Sequence, residues 1–482
     1  MSTDFIPPFD MIPTVRVAIN VGGLMDIPAG TYETGLHGES ILNGGLTPFT
    51  GVVGIANNYK SSLADFFSFT AMSRFIDHPH CFGMKYDSEN NVTMSRQAQL
   101  AEAIEGLKNG KNPVENGRWI VSDRSRYIGN EWFEIFKTYV KKKIANQKEL
   151  SVTIPFLDRT GKQMTWMVPT PTCIDSISRF ETEDVANMRE ENELGDSGAN
   201  TAFMRQGLSK THMIAQLVGM VSQANTPMIM TAHIGKVIPL DARAAPVKKL
   251  QYLKNGDVIK GVSDQFLFLT NLCWQCSNAA PLVNDGTKAP EYPNGTDDNV
   301  KGDTDLLEVT LTLLRNKYGP SGLVMKIVVS QLEGVLPSLS EFHYIKTVDR
   351  FGLGGNVQNY YLELLPEVKL SRTAVRPKIE KDPTLRRALN ITSEMCQMKH
   401  LWRDEEEVFC TPKQLYDDLK EMGYDWSILL NSRGYWLPEN DSPKHELPFL
   451  STLDLLRMRR GRYIPYWFTE EQRSKIDTSK AK

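Results

Sequence analysis

The chain has 482 residues, of which 41 % are hydrophobic and 23 % are charged, and its formal net charge is −3. This composition is typical of a globular protein with a packed core, and the small net charge gives no global electrostatic case for nucleic-acid binding. No apolar run reaches the roughly 20 residues that a membrane span requires, and the start MSTDFIPPFD lacks a basic-then-apolar signal pattern. We therefore expect a cytosolic protein without a membrane partner.

Strands and helices alternate along the first half of the chain. Strands are predicted at TVRVAINV, VVGIA, CFGMKYD, TCIDSI and PMIMTAH. Helices are predicted at KSSLADFFSFTAMSRFI, MSRQAQLAEAIEGL, WFEIFKTYVKKKIANQ and TAFMRQGLSKTHMIAQLVGMVSQA. This alternation predicts an α/β fold with a mostly parallel central sheet.

Later segments predict additions to that sheet. The pattern SVTIPFL-DRTGKQ-MTWMV (151–168) predicts a hairpin. Successive strands without long helices between them are predicted at DQFLFLTNLCWQC, LLEVTLTLLRNKY, LVMKIVVS and EFHYIKTV, which suggests antiparallel additions at one sheet edge. The segment 277–303 is rich in Pro, Gly, Asn and Asp and predicts a loop. Beyond residue 355 the chain turns helical and charged, so we divide it into residues 1–40, 41–355 and a smaller α+β C-terminal domain, 356–482.

Six cysteines at irregular spacing are typical of reduced thiols. Cys273 and Cys276 form a CxxC pattern, which is half of a zinc site in some proteins. No second Cys/His pair follows at matching spacing, so ordinary buried strand cysteines are the favoured interpretation.

The stretch GVVGIANNYKSS lies between a predicted strand and a predicted helix and nearly matches a phosphate-binding loop. Loop N–H groups and the helix N-terminus would hold phosphates, Lys60 would neutralise the outer phosphates, and the Ser61 hydroxyl would ligate Mg²⁺. Tyr59 stands where the pattern has its second Gly, so we expect a backbone conformation that an L-residue tolerates, with the ring turned away from the phosphates. The predicted cofactor-binding residues of the loop are Gly54, Asn57, Asn58, Tyr59, Lys60, Ser61 and Ser62.

Two acidic residues follow predicted strands, where a P-loop ATPase needs them. Asp175 in TCIDSI suits an acid of the Mg²⁺ shell, and Glu89 in KYDSE suits a base that orients or deprotonates the attacking water. The alternative for each carboxylate is strand-end solvation or helix capping.

The ordered series GIANNYKS, YDSE, CIDSI, ELGDSG, MTAH and LLRNK resembles the RecA-type recombinases, over roughly residues 40–350. It is especially similar to the UvsX-type recombinases of tailed phages, which also carry an aromatic residue before the P-loop lysine. The resemblance implies a RecA-like P-loop ATPase core that binds ATP and Mg²⁺ between subunits. It also implies a DNA-dependent ATPase that forms a helical homo-oligomeric filament on single-stranded DNA and pairs it with duplex DNA in recombination, repair and replication. Single-strand-binding and loader proteins are candidate partners, and a phage-infected bacterial cell is the expected setting.

The resemblance assigns roles to individual residues near the phosphates. It makes Glu89 the general base and Asp175 the Mg²⁺-shell acid, and it places His233 at the γ-phosphate sensor. Arg315 and Lys317 match cations that reach the phosphates of the adjacent subunit. The alternatives are a structural histidine and exposed strand charges.

Arg96 occupies the position where the family places a Tyr against adenine, and its guanidinium could stack in the same way. A solvated helix arginine is the alternative.

Two loops hold DNA in this family, and here they span roughly residues 181–202 and 235–261. The second is locally basic, although a solvated basic loop would look the same. The predicted DNA-binding residues are Lys236, Ile238, Arg243, Lys248, Lys249, Lys254 and Lys260, together with Arg205 beyond the first loop. Ala199 departs from the family's Met in the first loop. The N-terminal strand VRVAI is expected to pair with the next subunit, which makes residues 1–40 an oligomerisation segment.

Two other functions stay open. One is a RecA-core DNA motor or annealing-type ATPase, such as a ring-forming helicase or an accessory ATPase. The other is a DNA-coating protein whose P-loop has decayed, against which the retained Lys60, Ser61, Glu89 and Asp175 speak.

Overall fold

The computed structural model describes residues 16–181, 198–236, 250–262, 265–295, 299–356, 358–402 and 405–482, with no side-chain description for residues 198–207 and 265. The strands of these ranges are β1 (Thr31–Thr34), β2 (Ser40–Asn43), β3 (Phe49–Gly54), β4 (Gly83–Asp87), β5 (Trp119–Asp123), β6 (Ser151–Leu157), β7 (Gln163–Met167), β8 (Thr172–Asp175), β9 (Met228–Lys236), β10 (Asp257–Ile259), β11 (Leu272–Pro281), β12 (Leu306–Asn316), β13 (Val324–Ser330), β14 (Gly334–Val335), β15 (Leu353–Asn356), β16 (Asn359–Leu362) and β17 (Leu365–Leu370).

The α-helices of the same ranges are α1 (Lys60–Ser73), α2 (Met94–Glu102), α3 (Gly129–Ala145), α4 (Gly198–Ala224), α5 (Gln265–Leu269), α6 (Pro337–Thr347), α7 (Val375–Lys381), α8 (Pro383–Leu401), α9 (Pro412–Glu421), α10 (Trp426–Leu430), α11 (Thr452–Arg459) and α12 (Glu470–Ser474). Short 3₁₀ helices lie at Gly23–Met25, Glu105–Leu107, Glu406–Val408 and Thr478–Lys480. Among the described residues, no helix has the length and apolar character that a bilayer crossing requires.

One large sheet forms the centre of the molecule. Its strands lie side by side in the order β14, β13, β12, β11, β3, β9, β8, β4 and β5, and β10 pairs with the end of β9. The six strands from β11 to β5 are parallel, whereas β12, β13 and β14 are antiparallel additions beyond β11. The predicted α/β fold with a mostly parallel sheet and antiparallel strands at one side is confirmed. The predicted hairpin is also confirmed, as β6 and β7.

The register of the parallel strands brings their ends together. Gly54 of β3 is level with His233 of β9 and with Cys276 of β11, and Asp87 of β4 is level with Asp175 of β8. We call this side of the sheet the carboxyl edge. From β3 the chain crosses to β4 on one side, and from β9 it crosses over β3 to β11 on the other. Open α/β sheets bind their ligands at the carboxyl edge beside such a switch point.

Helices cover both faces of the sheet. α1 packs on one face, in a hydrophobic cluster with Val52 and Trp274, whereas α3 and α4 pack on the other face with Val53 and Ile174. Val52 and Val53 enter different clusters because neighbouring residues of a strand point to opposite faces. This double coverage explains why the parallel strands are continuous apolar runs in the sequence.

Beyond residue 350 the chain forms the antiparallel sheet of β15, β16 and β17 and then the helices α7 to α12. Leu389 of α8 lies in the same hydrophobic cluster as Phe342 of α6 and Val328 of β13. The C-terminal region therefore shares a core with the central sheet. Its separation as a domain stays a prediction.

The predicted strand EFHYIKTV is wrong, because these residues belong to α6. Pro337 lies at the start of this helix, where its missing N–H is not needed. Leu339, Phe342 and Ile345 are buried at intervals of three residues, which is a helical spacing. The aromatic and β-branched residues of the segment favour a strand, but the three-residue spacing of the buried side chains is that of a helix.

Two further strand predictions are wrong in part. In DQFLFLTNLCWQC the first letters form α5, and β11 begins only at Leu272. In TVRVAINV the described residues form a single isolated bridge, between Ile19 and Leu46, and their apolar side chains are buried in this chain's own core. A role of residues 1–40 in oligomerisation stays a prediction.

Buried carboxyl groups join α6, α8 and the N-terminal segment. The Asn390 amide donates to Glu341 at 3.3 Å and to Glu394 at 2.9 Å, and Asp26 accepts from two backbone N–H groups. Burial raises the pKa of Glu341 to about 8, with the Asn390 hydrogen bond opposing the rise and Glu394 adding to it. Burial also raises the pKa of Asp26 to about 7.

The raised pKa of Glu341 predicts a loss of stability as the pH rises from the ordinary carboxyl pKa to about 8. Because the folded chain holds this proton more tightly than the unfolded chain, the stabilisation is complete below the ordinary carboxyl pKa and is lost as the pH rises through about 8. Glu341→Gln stays neutral at every pH. The free energy of unfolding of the variant should therefore gain more than about 1 kcal/mol over wild type between about pH 6 and about pH 9.

Denaturant titrations at several pH values measure this difference. Glu115→Gln, at an exposed position, is the matched control and should differ from wild type by the same amount at each pH. A similarly constant difference for Glu341→Gln would contradict the prediction.

Candidate active site

The loop between β3 and α1 requires a glycine at its first position. A Cβ atom on Gly54 would lie 2.5 Å from the carbonyl oxygen of Cys276 on the adjacent strand β11. The Asn58 amide donates to that same carbonyl oxygen at 3.3 Å. Strand β11 therefore packs directly against the loop and holds it by a hydrogen bond. Cys273 and Cys276 are buried free thiols of this strand, and burial raises the pKa of Cys276 to about 12.

Tyr59 departs from the conformation expected for it. Its φ is 59° and its ψ is 26°, so it lies in the left-handed region, as does Asn57 with φ 60°. This region costs an L-residue other than Asn or Asp roughly 1–2 kcal/mol, so the expectation of a well-tolerated backbone is wrong. The ring packs at the edge of the hydrophobic cluster beneath α1.

Lys60, the first residue of α1, is a buried cation at the carboxyl edge. Only 7 % of it is exposed, and its ammonium donates to the carbonyl oxygen of Ile55 at 2.7 Å. Burial lowers the pKa of Lys60, and the negative charges of Asp175 and Glu89 are among those that oppose this change. No carboxylate of the described ranges forms an ion pair with it. The ammonium is thus placed to receive an anion from outside the chain.

Asp175, the last residue of β8, is a buried carboxylate beside α1. Its Oδ1 accepts a hydrogen bond from the Thr231 hydroxyl at 2.6 Å, and its Oδ2 lies 3.3 Å from the Lys85 ammonium. Burial alone would raise the pKa of Asp175, but Lys85 and the hydrogen bonds of Thr231 and Ser61 hold it below its ordinary value. Asp175 is therefore ionised at neutral pH, with the Ser61 hydroxyl beside it.

A chain of buried polar groups continues inward from Asp175. The Lys85 ammonium donates to Asp65 of α1 at 2.7 Å, and Gln97 of α2 donates to the other oxygen of Asp65 at 2.8 Å. The Trp119 indole in turn donates to Gln97 at 2.9 Å. Burial alone would lower the pKa of Lys85, but the two carboxylates raise it. This chain ties α1 and α2 to β4, β5 and β8.

Glu89 and His233 meet at the carboxyl edge. Glu89 Oε1 accepts a hydrogen bond from the Ser176 hydroxyl at 2.9 Å and lies 2.8 Å from His233 Nε2. The backbone N–H of His233 donates to the Ser178 hydroxyl at 2.9 Å. Both Glu89 and His233 are partly exposed. The structure therefore brings together the ends of β4, β8 and β9, as the sequence pattern required.

Arg96 does not present a free guanidinium. It donates to the carbonyl oxygen of Gln331 at 2.6 Å, to the carbonyl oxygen of Leu332, and to the Gln99 amide oxygen at 2.7 Å. These bonds join α2 to the turn between β13 and β14. Arg96 is half-buried, so these bonds leave part of its side chain at the surface, and adenine stacking stays a prediction.

Arg315 and Lys317 lie away from the β3–α1 loop of their own chain. Arg315 pairs with Cys273, which is three residues, or about 10 Å, from the level of Gly54 along β11. Lys317 lies two residues further, where its N–H donates to the carbonyl oxygen of Asn271. The Arg315 guanidinium lies 5.8 Å from the Phe268 ring centre, and its buried Nε has no hydrogen-bond partner among the described residues.

Only part of the predicted DNA-binding surface can be located. Lys236 ends β9 and pairs with Asp257, and Lys254 and Lys260 are exposed. Arg205 lies in α4, and its side chain is outside the described set. Ile238, Arg243, Lys248 and Lys249, and most of the first loop, lie outside the described residues.

The arginine-rich segment 457–462 holds its own fold together. Arg457 donates to Asp454, Arg459 donates to Asp418, and both Arg460 and Arg462 pair with Glu406. Arg462 also pairs with Glu407, so each of these guanidinium groups has a carboxylate partner within the chain.

Sequence reasoning missed Lys85, Asp65, Thr231 and Ser176. The signal for two of them was a polar residue inside an apolar strand, Lys85 in CFGMKYD and Thr231 in PMIMTAH. A charged side chain in a buried strand needs a partner, but no local pattern identifies that partner as Asp65 on a helix.

The donor set at the carboxyl edge fits a Mg²⁺-bound nucleotide. Mg²⁺ prefers oxygen ligands and is commonly held by one or two carboxylates together with phosphates and water. Asp175 and Ser61 supply such oxygens, and Lys60 supplies a cation for phosphate. Within the described ranges, no group of three or more His, Cys, Asp or Glu could hold a metal ion by itself.

No protein-family model matches the chain. A search of curated proteins likewise finds no significant match.

The left-handed backbone of Tyr59 predicts that Tyr59→Gly preserves nucleotide binding. Tyr59→Ala is the matched variant, because it also removes the ring but keeps the unfavourable backbone. Tyr59→Gly should be more stable than Tyr59→Ala by about 1 kcal/mol in denaturant titrations. Both should bind an ATP analogue as wild type does in calorimetric titrations. Loss of binding in both would show that the ring itself is needed.

Proposed function

We propose that this chain is an ATP-dependent DNA recombinase of the RecA type, which polymerises on single-stranded DNA and promotes homologous pairing and strand exchange. One observation carries the proposal: Lys60, Glu89, Asp175 and His233, from four segments of the sequence, converge on the carboxyl edge of one parallel sheet. The order of these motifs along the chain, which resembles that of the RecA-type recombinases, supports the choice among P-loop ATPases. DNA in the cytoplasm of a phage-infected bacterial cell is the proposed setting.

The residues around the loop have distinct proposed tasks. Mg²⁺ would supply charge neutralisation at the phosphates when bound. Lys60 exchanges its hydrogen bond to the Ile55 carbonyl for the outer phosphates, and Ser61 and Asp175 offer oxygens toward the metal. Because Asp175 is already ionised at neutral pH, it does not have to lose a proton when a cation binds.

Glu89 is the proposed general base, and His233 is its partner. A carboxylate can take or orient the proton of an attacking water. In the present arrangement Glu89 Oε1 contacts both His233 and Ser176. His233 lies three residues before Lys236, where β9 runs into the second predicted DNA-binding loop. DNA bound to that loop therefore acts on the position of Glu89 through β9.

The position of Arg315 and Lys317, away from the β3–α1 loop of their own chain, supports an action between subunits. The backbone of Arg315 lies about 10 Å along the strands from the level of Gly54, and Lys317 lies two residues further away, so we infer that neither cation serves the nucleotide of its own chain. They are proposed to serve the next subunit, like an arginine finger supplied in trans. Negative-stain images with single-stranded DNA and a slowly hydrolysed ATP analogue test this geometry. Closed rings would favour a RecA-core motor instead.

The first functional prediction concerns Glu89. Single-stranded DNA should stimulate ATP hydrolysis by the wild-type protein, and Glu89→Gln should lower the turnover by at least about 100-fold, since removal of a general base costs this much. Nucleotide binding should persist, because Gln keeps the shape of the side chain. An unstimulated background rate in the wild-type protein would support a DNA-coating protein.

The second functional prediction concerns contact between subunits. Lys60→Ala and Arg315→Ala should each lack DNA-dependent ATPase activity, and a mixture of the two should recover part of it. Recovery is expected because a junction between the two variants can hold one intact Lys60 and one intact Arg315. A mixture of Lys60→Ala with Glu89→Gln is the control and should stay inactive, since both residues serve the same nucleotide. Absence of recovery in the first mixture would contradict the assignment of Arg315.

A further inference from the structure

The Lys85 ammonium lies between two carboxylates in a site that excludes solvent. It donates to Asp65 Oδ1 at 2.7 Å and lies 3.3 Å from Asp175 Oδ2, and only 1 % of its side chain is exposed. Three elements meet there, because Lys85 comes from β4, Asp65 from α1 and Asp175 from β8. The ammonium lies closer to Asp65 than to Asp175. Its positive charge is therefore shared between the two carboxylates and offsets only part of the charge of Asp175.

The charges of this group do not cancel. Two carboxylates and one ammonium leave one negative charge, at the end of β8 beside the Ser61 hydroxyl. Charges so near one another and away from water interact strongly, because the effective dielectric constant there is far below that of water. Asp65 therefore influences the cation affinity of Asp175 without reaching the surface.

We propose that Lys85 is a positioning residue that fixes Asp175 and limits its attraction for free divalent cations, so that Mg²⁺ binds with the nucleotide rather than before it. The inference rests on the proposed function, since it assumes that Asp175 faces the metal of a bound nucleotide. Lys85 holds Oδ2 inward while Thr231 holds Oδ1, which leaves the carboxylate a single orientation. Asp65 offsets part of the Lys85 charge and so preserves a net attraction.

Two substitutions change the charge of the group, and a third leaves it unchanged. Asp65→Asn removes one negative charge, Lys85→Met removes the positive charge, and Gln97→Met leaves the charge of the group unchanged. Gln97→Met is the matched control, because Gln97 donates to Asp65 and its loss disturbs the same buried chain. An electrostatic role predicts opposite effects for the first two variants, whereas a packing role predicts effects that follow the loss of thermal stability.

Two measurements test the inference without relying on turnover. The first is Mn²⁺ binding to the nucleotide-free protein, followed by electron paramagnetic resonance. The second is the Mg²⁺ concentration that gives half-maximal binding of a slowly hydrolysed ATP analogue. Asp65→Asn should weaken both metal responses by at least about threefold, Lys85→Met should strengthen Mn²⁺ binding by at least about threefold, and Gln97→Met should match wild type.

The outcomes separate this inference from the proposed function. If the wild-type protein binds no ATP analogue, both are overturned. If it binds the analogue but Asp65→Asn and Gln97→Met have equal metal responses, the proposed function stands and the role of Lys85 is overturned. Should Lys85→Met fail to fold, the comparison of Asp65→Asn with Gln97→Met decides, because both keep the lysine.

Discussion

The parallel register of the central sheet is the constraint on which the candidate site depends. Backbone hydrogen bonds set Gly54 level with His233 and Asp87 level with Asp175, so four strands end at one edge. A slip of one residue in any strand would turn its side chains to the opposite face. Glu89 could then no longer contact His233, although both residues would remain in the sequence.

Two buried lysines near this edge, Lys60 and Lys85, differ in whether a carboxylate of the chain balances their charge. Lys85 has two carboxylate partners, so its charge is balanced within the chain. Lys60 has a backbone carbonyl as its hydrogen-bond acceptor and no ion pair with the described carboxylates. Burial of an unbalanced charge is unfavourable unless a ligand supplies the opposite charge. The comparison therefore points to Lys60, not Lys85, as the residue that meets an external anion.

The parts of the fold that the sequence predicts are those governed by local periodicity. The β3–α1 unit, the long helix α4 and the hairpin β6–β7 follow directly from apolar spacing and turn residues. The strand prediction for EFHYIKTV is wrong because its residue types favour a strand, whereas the spacing of its buried residues is helical. Asp65 and Lys85 are 20 residues apart, and only the packing of α1 against the sheet shows that they pair. The prediction for Tyr59 is wrong for another reason. The geometry of the β3–α1 loop places its backbone in the left-handed region, which a tyrosine by itself disfavours.

Strand β11 links the β3–α1 loop to the antiparallel strands of the sheet. At one end the Cys276 carbonyl contacts Gly54 and accepts from Asn58, and toward the other end Cys273 pairs with Arg315 on β12. A paired strand at the centre of a sheet resists bending, so a shift of the loop moves Arg315 with it. In the proposed filament, this rigid connection couples the nucleotide of one subunit to the cations that the same subunit presents to its neighbour. Hydrolysis would then depend on the register of β11 as much as on Glu89.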